Sequence, residues 1–167
     1  MSDSVCILGV DPGSRATGWA IIEVHGVRLA FVDAGVIKAA PNADRAGRLA
    51  RIFSELTDIA ERFAPSEAAI ESTFVNASPR DALVLGEARG VALCAAAAAG
   101  LAVSEYAANT IKKSVVGKGH AGKQQVQMMV KVLLPTAGAL RTDAADAAAA
   151  AICHAHHRGI GRLRAIG

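Results

Sequence analysis

The sequence Gly9-Val-Asp-Pro-Gly-Ser-Arg-Ala-Thr-Gly18 closes a short apolar run that begins at Val5. A run of this length that ends in Asp-Pro-Gly is typical of a buried strand followed by a tight turn. It therefore predicts a first strand over residues 5–11, with Asp11 at its carboxyl end. Because sites in open α/β sheets form at the carboxyl ends of strands, Asp11 is the first candidate site residue.

The segments that follow this turn show the periods of strands and helices in alternation. Residues 18–25 and 28–38 predict two strands, and Gly26 between them predicts a tight hairpin. Apolar residues then recur at steps of three and four from Asp44 to Pro65, which predicts an amphipathic helix. Beyond it, the patterns predict strands over 67–71 and 101–106 and helices over 80–99, 109–116, 123–134 and 142–157.

This order of elements predicts an α/β fold. Three strands in a meander, followed by helices that alternate with strands, give a five-stranded mixed sheet with helices on both faces. No linker or internal repeat interrupts the pattern. We therefore expect one domain over residues 1–167, with the last helix ending near Gly159 and a flexible tail from about that residue.

The charge of the chain is unevenly distributed. The net charge is only +3, but no acidic residue lies between Tyr106 and Thr142. A segregated positive face of this kind binds polyanions, although a merely solvated basic surface is the alternative. The basic residues in this segment are Lys112, Lys113, Lys118, Lys123, Lys131 and Arg141.

The three cysteines and the apolar segments indicate the cellular compartment of the protein. Cys6, Cys94 and Cys153 are far apart and have no C-x-x-C spacing, which favours small buried residues in a reducing compartment over a disulfide framework or a zinc site. No secretory signal is evident, and the apolar run 90–103 is too short for a membrane span. We expect a cytoplasmic protein with no membrane partner.

Three further carboxylates join Asp11 as candidates. Glu71 ends the predicted fourth strand, so it faces Asp11 if strands one and four are adjacent and parallel. Asp143 and Asp146 are three residues apart in the first turn of the last helix, which places them on one helix face. The helix dipole stabilises negative charge at that end.

Four carboxylates in one pocket predict a bound cation. Without one they repel each other, and at least one must be protonated. Ligands that are all oxygen favour Mg²⁺ or Mn²⁺ over zinc, and two such ions about 4 Å apart form the clamp used for in-line attack on a phosphodiester. Taken singly, a strand-end aspartate or an Asp-x-x-Asp capping pair is often structural. The combination, in this order and on these elements, is specific.

These motifs resemble the RuvC family of Holliday junction endonucleases, over nearly the whole chain and in register. The resemblance implies a ribonuclease H-like fold and symmetric nicking of four-way junction DNA by a homodimer with two Mg²⁺ ions, for which Mn²⁺ substitutes. It also implies the branch-migration proteins RuvA and RuvB as partners. The matching segments are Gly9–Gly18, Ile70-Glu71-x-x-Phe74, residues 106–127 and Asp143-Ala-Ala-Asp146-Ala with His154.

The resemblance also assigns roles to single residues. Asp11, Glu71, Asp143 and Asp146 become the metal-binding catalytic acids, although some relatives carry histidine where Asp143 stands. The DNA-contacting residues that it implies, or that the basic segment favours, are Lys112, Lys118, Lys123, Arg15 and Phe74.

Two of these DNA contacts also have a physical argument. Lys123 lies in the first turn of a predicted helix, where it opposes the dipole unless a phosphate binds there, and it is expected to help neutralise charge that develops during the reaction. Phe74 is expected to hold open unpaired bases at the crossover by stacking. A buried anchor is the alternative for Phe74.

Other functions fit the sequence less well. The loop Gly117-Lys-Gly-His-Ala-Gly-Lys123 nearly matches a nucleotide-binding P-loop, but Gln124 replaces the required Ser or Thr and a helix precedes the loop. Actin-like ATPases need a second lobe that 167 residues cannot supply. The alternatives that stay open are an RNA-processing nuclease of the RuvX/YqgF group and a non-catalytic junction-binding module.

Two further predictions concern helix faces. Gly86 and Gly90 in helix 80–99 allow close helix approach, and this helix is the expected homodimer interface, with packing on its own sheet as the alternative. The apolar area of the expected interface comes from Leu83, Val84, Val91 and Leu93. The residues His154, His156 and His157 are expected to offset the dipole at the end of the last helix.

Overall fold

A computed structural model describes residues 4–72 and 78–165 and shows one five-stranded mixed sheet. The strands are β1 (Ser4–Asp11), β2 (Ala16–His25), β3 (Arg28–Lys38), β4 (Glu67–Ser72) and β5 (Ala102–Ala107). The helices are α1 (Arg45–Phe63), α2 (Pro79–Ala98), α3 (Ala108–Val116), α4 (Lys123–Leu133) and α5 (Thr142–Ala165), with a 3₁₀ turn at Pro135–Ala137.

The strand order is β3-β2-β1-β4-β5. β1, β2 and β3 are antiparallel neighbours, whereas β4 and β5 continue the sheet parallel to β1. The predicted meander and the predicted pairing of strands one and four are both confirmed. Consequently the carboxyl ends of β1, β4 and β5 all lie at one edge of the sheet.

Helices cover both faces of the sheet. α1 and α2 pack on the face that carries Leu8, Val10 and Ile70, while α3, α4 and α5 pack on the face that carries Ile7 and Ala69. In α5 a run of buried alanines contacts the sheet, and alanine allows a helix axis to approach closely because it has no side chain beyond Cβ. None of the helices in the described ranges is long and apolar enough to cross a bilayer.

Two glycines in the sheet allow this close approach of α5. A Cβ atom built on Gly9 would lie 2.1 Å from the carbonyl oxygen of Ala147, and one built on Gly18 would lie 1.9 Å from that of Asp143. Both distances are far below van der Waals contact, so no larger residue fits at either strand position. The glycines therefore position the first turn of α5 over the edge where β1 ends.

The structure corrects three of the expectations drawn from the sequence. α5 continues to Ala165 instead of ending near Gly159, since a helix tolerates an interior glycine at a cost of about 1 kcal/mol. His154, His156 and His157 therefore lie inside the helix, and their predicted role at its C-terminus is wrong. Cys153 is buried and Cys6 partly buried as expected, but Cys94 is exposed on α2 because it lies opposite the alanines that face the sheet.

Candidate active site

The edge of the sheet brings Asp11 and Glu71 side by side. In the parallel pairing of β1 with β4, Val10 is the register partner of Ile70, and the next residue on each strand is one of the two acids. Side chains alternate along a strand, so both carboxylates lie on the face that α5 covers. The pairing of these two strands brings together residues that are 60 positions apart in the sequence.

α5 adds Asp143 and Asp146 to this edge. Asp143 lies in the first helical turn, where its carbonyl is directly over Gly18. Asp146 is one turn further and is half-buried. The alanines that follow have no side chains that would keep the helix away from the two strand acids.

A cavity of about 320 Å³ lies between these acids and the two helices α3 and α4. Its polar lining consists of Asp11, Glu71 and Asp146 together with Lys112 of α3 and Lys123 of α4. Its apolar lining is Ala108, Ile111, Val126 and Ala149. Asp143 is not part of the lining but is close enough to act on the titration of Asp11.

The acids in the cavity destabilise one another's charged forms. Burial, and then the charges of Glu71, Asp146 and Asp143, raise the pKa of Asp11 to about 8. Burial and then Asp146 likewise raise the pKa of Glu71 above its usual value. Burial also raises the pKa of Asp146, against the opposing effect of Lys123. The site therefore lacks positive charge that would stabilise three ionised carboxylates.

Lys123 supplies part of that positive charge. Its Nζ lies 3.1 Å from Oδ2 of Asp146. Although burial acts in the other direction, the Asp146 carboxylate raises the pKa of Lys123 above its usual value, so the ammonium keeps its proton. Burial and Asp146 raise the pKa of Glu71, and Lys112 opposes that rise. Both lysines thus share the lining of the cavity with the acids.

The donor set of the cavity suits a hard divalent cation. Its acidic lining offers only carboxylate oxygens, and mutual repulsion is the effect that such an ion relieves. Within the described ranges, no three carboxylate, imidazole or thiol side chains converge closely enough to ligate one ion as they stand. Because Lys123 lies against Asp146, its ammonium competes with an ion for that carboxylate.

The other residues predicted to contact DNA do not line this cavity where the structure describes them. Lys118 is exposed in the loop between α3 and α4. Arg15 lies on the opposite side of the sheet edge, where it lines a surface depression with Arg48 and Arg51 of α1. Phe74 lies outside the described residues.

Sequence reasoning missed a buried polar network beneath the cavity. Tyr106 of β5, His154 and Arg158 of α5, and Glu67 of β4 are joined by hydrogen bonds. The sequence carried no local signal for it, because the four residues lie on three different elements and are up to 91 positions apart. Arg48 was also missed, since it reads as an ordinary surface residue of an amphipathic helix.

Comparison of the sequence with known proteins shows which family this chain is similar to. A family model described as crossover junction endodeoxyribonuclease RuvC matches residues 7–154. The crossover junction endodeoxyribonuclease RuvC of Xanthobacter autotrophicus is 54% identical over 157 residues, which are 94% of this chain and 93% of the relative. The corresponding protein of Rhizobium rhizogenes is 49% identical over 98% of this chain and 96% of its own.

Solved structures show the same similarity in three dimensions. T. thermophilus RuvC in complex with Holliday junction substrate superposes with a TM-score of 0.88 at 31% identity, covering 94% of this chain and 96% of the other. The yeast mitochondrial Holliday junction resolvase superposes with a TM-score of 0.64 at 12% identity, covering 95% and 85%, and shares the fold. The five-stranded sheet is therefore of the ribonuclease H-like type.

Proposed function

The chain belongs to the RuvC family of crossover junction endodeoxyribonucleases, which are metal-dependent nucleases, and we propose that it resolves Holliday junctions by paired symmetric nicks. This activity belongs to DNA recombination and repair. The observation that carries the proposal is the cavity at the carboxyl edge of the sheet, where Asp11, Glu71 and Asp146 face Lys112 and Lys123. A hydrolase that acts on phosphodiesters needs this combination of oxygen ligands and phosphate-binding cations.

In the proposed site, the acids hold two Mg²⁺ ions, for which Mn²⁺ can substitute. Asp11, Glu71 and Asp146, which line the cavity, and Asp143 beside them would hold these ions. Such ions, when bound, activate a water molecule and stabilise the leaving 3′ oxygen. The raised pKa of Asp11 and Glu71 supports this assignment, because burial and the neighbouring carboxylates both destabilise the charged forms that a bound cation would stabilise.

The lysines act on the phosphate. Lys123 and Lys112 lie on the wall of the cavity opposite the strand acids and are placed to pair with the oxygens of the scissile and neighbouring phosphates. Lys123 leaves Asp146 when it does so, which frees that carboxylate as a ligand. Each lysine also neutralises charge that develops on the phosphate during attack.

Basic residues flank the acids on both sides of the sheet edge. Lys112, Lys118 and Lys123 lie on the α5 side, while Arg15 and Arg48 lie on the α1 side. Within the described residues, Arg15 and Arg48 have no acidic side chain within salt-bridge distance. We propose that DNA crosses the edge between these two groups, and that Phe74 stacks on unpaired bases at the crossover.

Paired nicking of a two-fold symmetric junction calls for two copies of the site, and we propose a homodimer through α2. Leu83 on the outer face of this helix is 68% exposed, and Gly86, Gly90 and Cys94 continue that face. Val91 and Leu93, which were expected at the interface, instead pack partly buried on the core beneath their own helix. The outer stripe is thus free to meet a second copy, and its glycines permit close helix approach.

Substitution of Gly90 tests this interface. A Cβ at Gly90 meets no atom within 4 Å, so Gly90→Arg leaves the fold of the subunit intact. We expect the parent protein to sediment as a dimer at micromolar concentration and Gly90→Arg as a monomer that nicks singly or not at all. Val132→Arg, at an exposed apolar position of α4, is the matched control and stays dimeric. A parent protein that is monomeric even with junction bound contradicts the paired mechanism.

A side-by-side cleavage assay tests the function itself. With Mg²⁺, we expect cutting of a four-way junction and little cutting of linear duplex or structured RNA. Preferential cutting of RNA would favour the RuvX/YqgF alternative, and binding without cutting in any divalent ion would favour a non-catalytic module. Cutting of the junction that persists in EDTA would contradict the metal mechanism.

The proposal also includes a cytoplasmic location, one domain over residues 1–167, and RuvA and RuvB as partners.

A further inference from the structure

A chain of buried hydrogen bonds crosses from the sheet to α5 beneath the candidate active site. The Tyr106 hydroxyl lies 2.7 Å from Nδ1 of His154, and Nε2 of the same ring lies 2.7 Å from Oε2 of Glu67. Arg158 donates from Nε to both oxygens of Glu67, at 2.9 and 2.7 Å. His154 is only 7% exposed, so water has little access to its two bonds, whereas the Arg158–Glu67 pair is partly exposed.

With a neutral imidazole, one direction satisfies every group in the chain. The Glu67 carboxylate accepts, so the N–H of His154 is at Nε2 and donates to it. Nδ1 then accepts a hydrogen bond from the Tyr106 hydroxyl, whose pKa burial raises. Burial pushes the pKa of Glu67 upward, but the hydrogen bonds from Arg158 and His154 outweigh it and hold that pKa below its usual value.

This network joins the elements that carry the candidate metal ligands. Tyr106 is the register partner of Glu71 across β4 and β5, so its ring lies beside Glu71 on the same face of the sheet. Its ring also packs on His157 of α5, with centroids 5.2 Å apart. His154 follows Asp146 on α5 by eight residues, or about 12 Å along the axis. Tyr106 and His154 thus connect the strand that holds one ligand to the helix that holds another.

The contact between α5 and the sheet gains a directional constraint from this network. Close packing of α5 on Gly9 and Gly18 sets how near the helix lies to the sheet. At the same time, Glu71 and Asp146 repel each other across this contact. Hydrogen bonds are directional, so they oppose a rotation of the helix that this repulsion would favour.

We propose that Tyr106 and His154 are positioning residues, whose hydrogen bond holds α5 and the Tyr106 ring so that Glu71 and Asp146 can share divalent ions. This inference rests on the proposed function. A network that serves stability alone is the competing explanation. The two differ in one observable, because only positioning couples the Tyr106 hydroxyl to the affinity of the protein for ions.

Divalent ion binding to the DNA-free full chain separates these explanations. Mn²⁺ titrations followed by calorimetry and by electron paramagnetic resonance measure the affinity without any cleavage. Tyr106→Phe removes only the hydroxyl, and we expect it to weaken Mn²⁺ binding about tenfold, as is typical of groups that orient metal ligands. Ser114→Ala is the matched control, because it removes an exposed 3.1 Å hydrogen bond between α3 and α5, to His156. We expect it to bind Mn²⁺ like the parent protein.

Two substitutions of His154 each remove one of its two hydrogen bonds and keep the other. Gln places its amide nitrogen near Nε2 and keeps the bond to Glu67 but loses the acceptor for Tyr106, so His154→Gln should weaken Mn²⁺ binding as Tyr106→Phe does. Asn places its oxygen near Nδ1 and keeps the acceptor for Tyr106, while Arg158 still ties Glu67 to α5. His154→Asn should therefore melt at a lower temperature yet bind Mn²⁺ like the parent.

Each outcome decides between the explanations. Parent-like Mn²⁺ affinity in Tyr106→Phe and His154→Gln, with or without a lower melting temperature, would overturn the positioning role. Equal weakening in all four variants would overturn it as well, since any loss of contact would then suffice. A parent protein that binds no Mn²⁺ would instead refute the proposed function. Normal Mn²⁺ binding by the parent and abolished cutting in Glu71→Gln would leave that function standing whatever the network variants show.

Discussion

Glu67 and Glu71 lie on the same face of β4, one at each end of the strand, yet their surroundings have opposite effects. Hydrogen bonds from Arg158 and His154 hold the pKa of Glu67 below its usual value even though burial acts against them. Burial and the charge of Asp146 raise the pKa of Glu71. Glu67, at the amino end of the strand, thus has partners that stabilise its charged form. Glu71, at the carboxyl end, lies among other negative charges.

The difference separates a structural carboxylate from a functional one. A carboxylate whose charge is matched within the protein stabilises the fold and has little free energy to offer a ligand. A group of carboxylates without matching cations destabilises the fold and gains from binding an external ion. The two ends of β4 therefore predict different responses to mutation, ions and pH.

The largest expected effect is on cleavage at the carboxyl end. Glu71→Gln removes a charged ligand, and the loss of several kcal/mol of transition-state stabilisation lowers the cutting rate by about a thousandfold. Single-turnover cleavage of a four-way junction measures it, with binding in Ca²⁺ as the check that DNA contacts survive. Asp11→Asn and Asp146→Asn should behave in the same way. Near-parental cutting by any of the three would remove that residue from the site.

At the amino end of β4 the expected effect is on stability. Glu67→Gln leaves the Arg158 guanidinium without its partner in a half-buried position, which costs about 1–2 kcal/mol after allowance for solvent screening. Glu71→Gln should instead leave the ion-free protein as stable as the parent or slightly more stable, since it removes like-charge repulsion. Urea denaturation in EDTA compares the two. If Glu71→Gln proves the more destabilising variant, the contrast between the two ends is wrong.

Added Mg²⁺ should stabilise the folded protein only by binding to the acids at the carboxyl end of β4. At Mg²⁺ ten times above its dissociation constant, linkage stabilises the folded protein by about 1.4 kcal/mol, or roughly 3–5 °C in melting temperature. Differential scanning calorimetry with Mg²⁺ and with EDTA measures this shift. Glu67→Gln should retain the shift in melting temperature although its melting temperature in EDTA is lower, and Asp11→Asn should lose most of the shift. An equal shift in both variants would mean that the ion binds elsewhere.

The smallest expected effect is on the acid side of the stability profile. Because the folded-state pKa of Glu67 is depressed, its contribution is present above its unfolded value of 4.5 and is lost as pH falls through the folded-state value. Urea midpoints measured from pH 6 downward should therefore fall more steeply below pH 4.5 in the parent than in Glu67→Gln. Parallel profiles for the two proteins would show that Arg158 and His154 do not favour the charged form.

Much of the fold and of the candidate site follows from local pattern. The strand that ends at Asp11 and the helix that begins at Thr142 are visible in the sequence, because each is set by the period of its own apolar residues. The four acids were found because each stands at the end of such an element. Lys112 and Lys123 stood out because the segment around them has no acidic residue.

Other features could not be read from local pattern. The end of α5 was misplaced because Gly159 is typical of a helix terminus, yet the backbone continues through it in helical form. Cys94 was expected inside, but an Ala-rich helix does not reveal which of its faces meets the sheet. Arg48 was missed because its proximity to Arg15 arises only when α1 packs beside the first turn.

The sequence by itself determined the elements, their order and the ends at which the acids stand, since short-range periodicity and turn residues act over a few positions. Only the tertiary structure decided what each charge faces. Glu67 meets His154 across 87 positions and Arg158 across 91, whereas Glu71 meets Asp146 across 75. Electrostatic energy depends on distance in space and on exclusion of water, and neither is encoded in the spacing of residues along the chain.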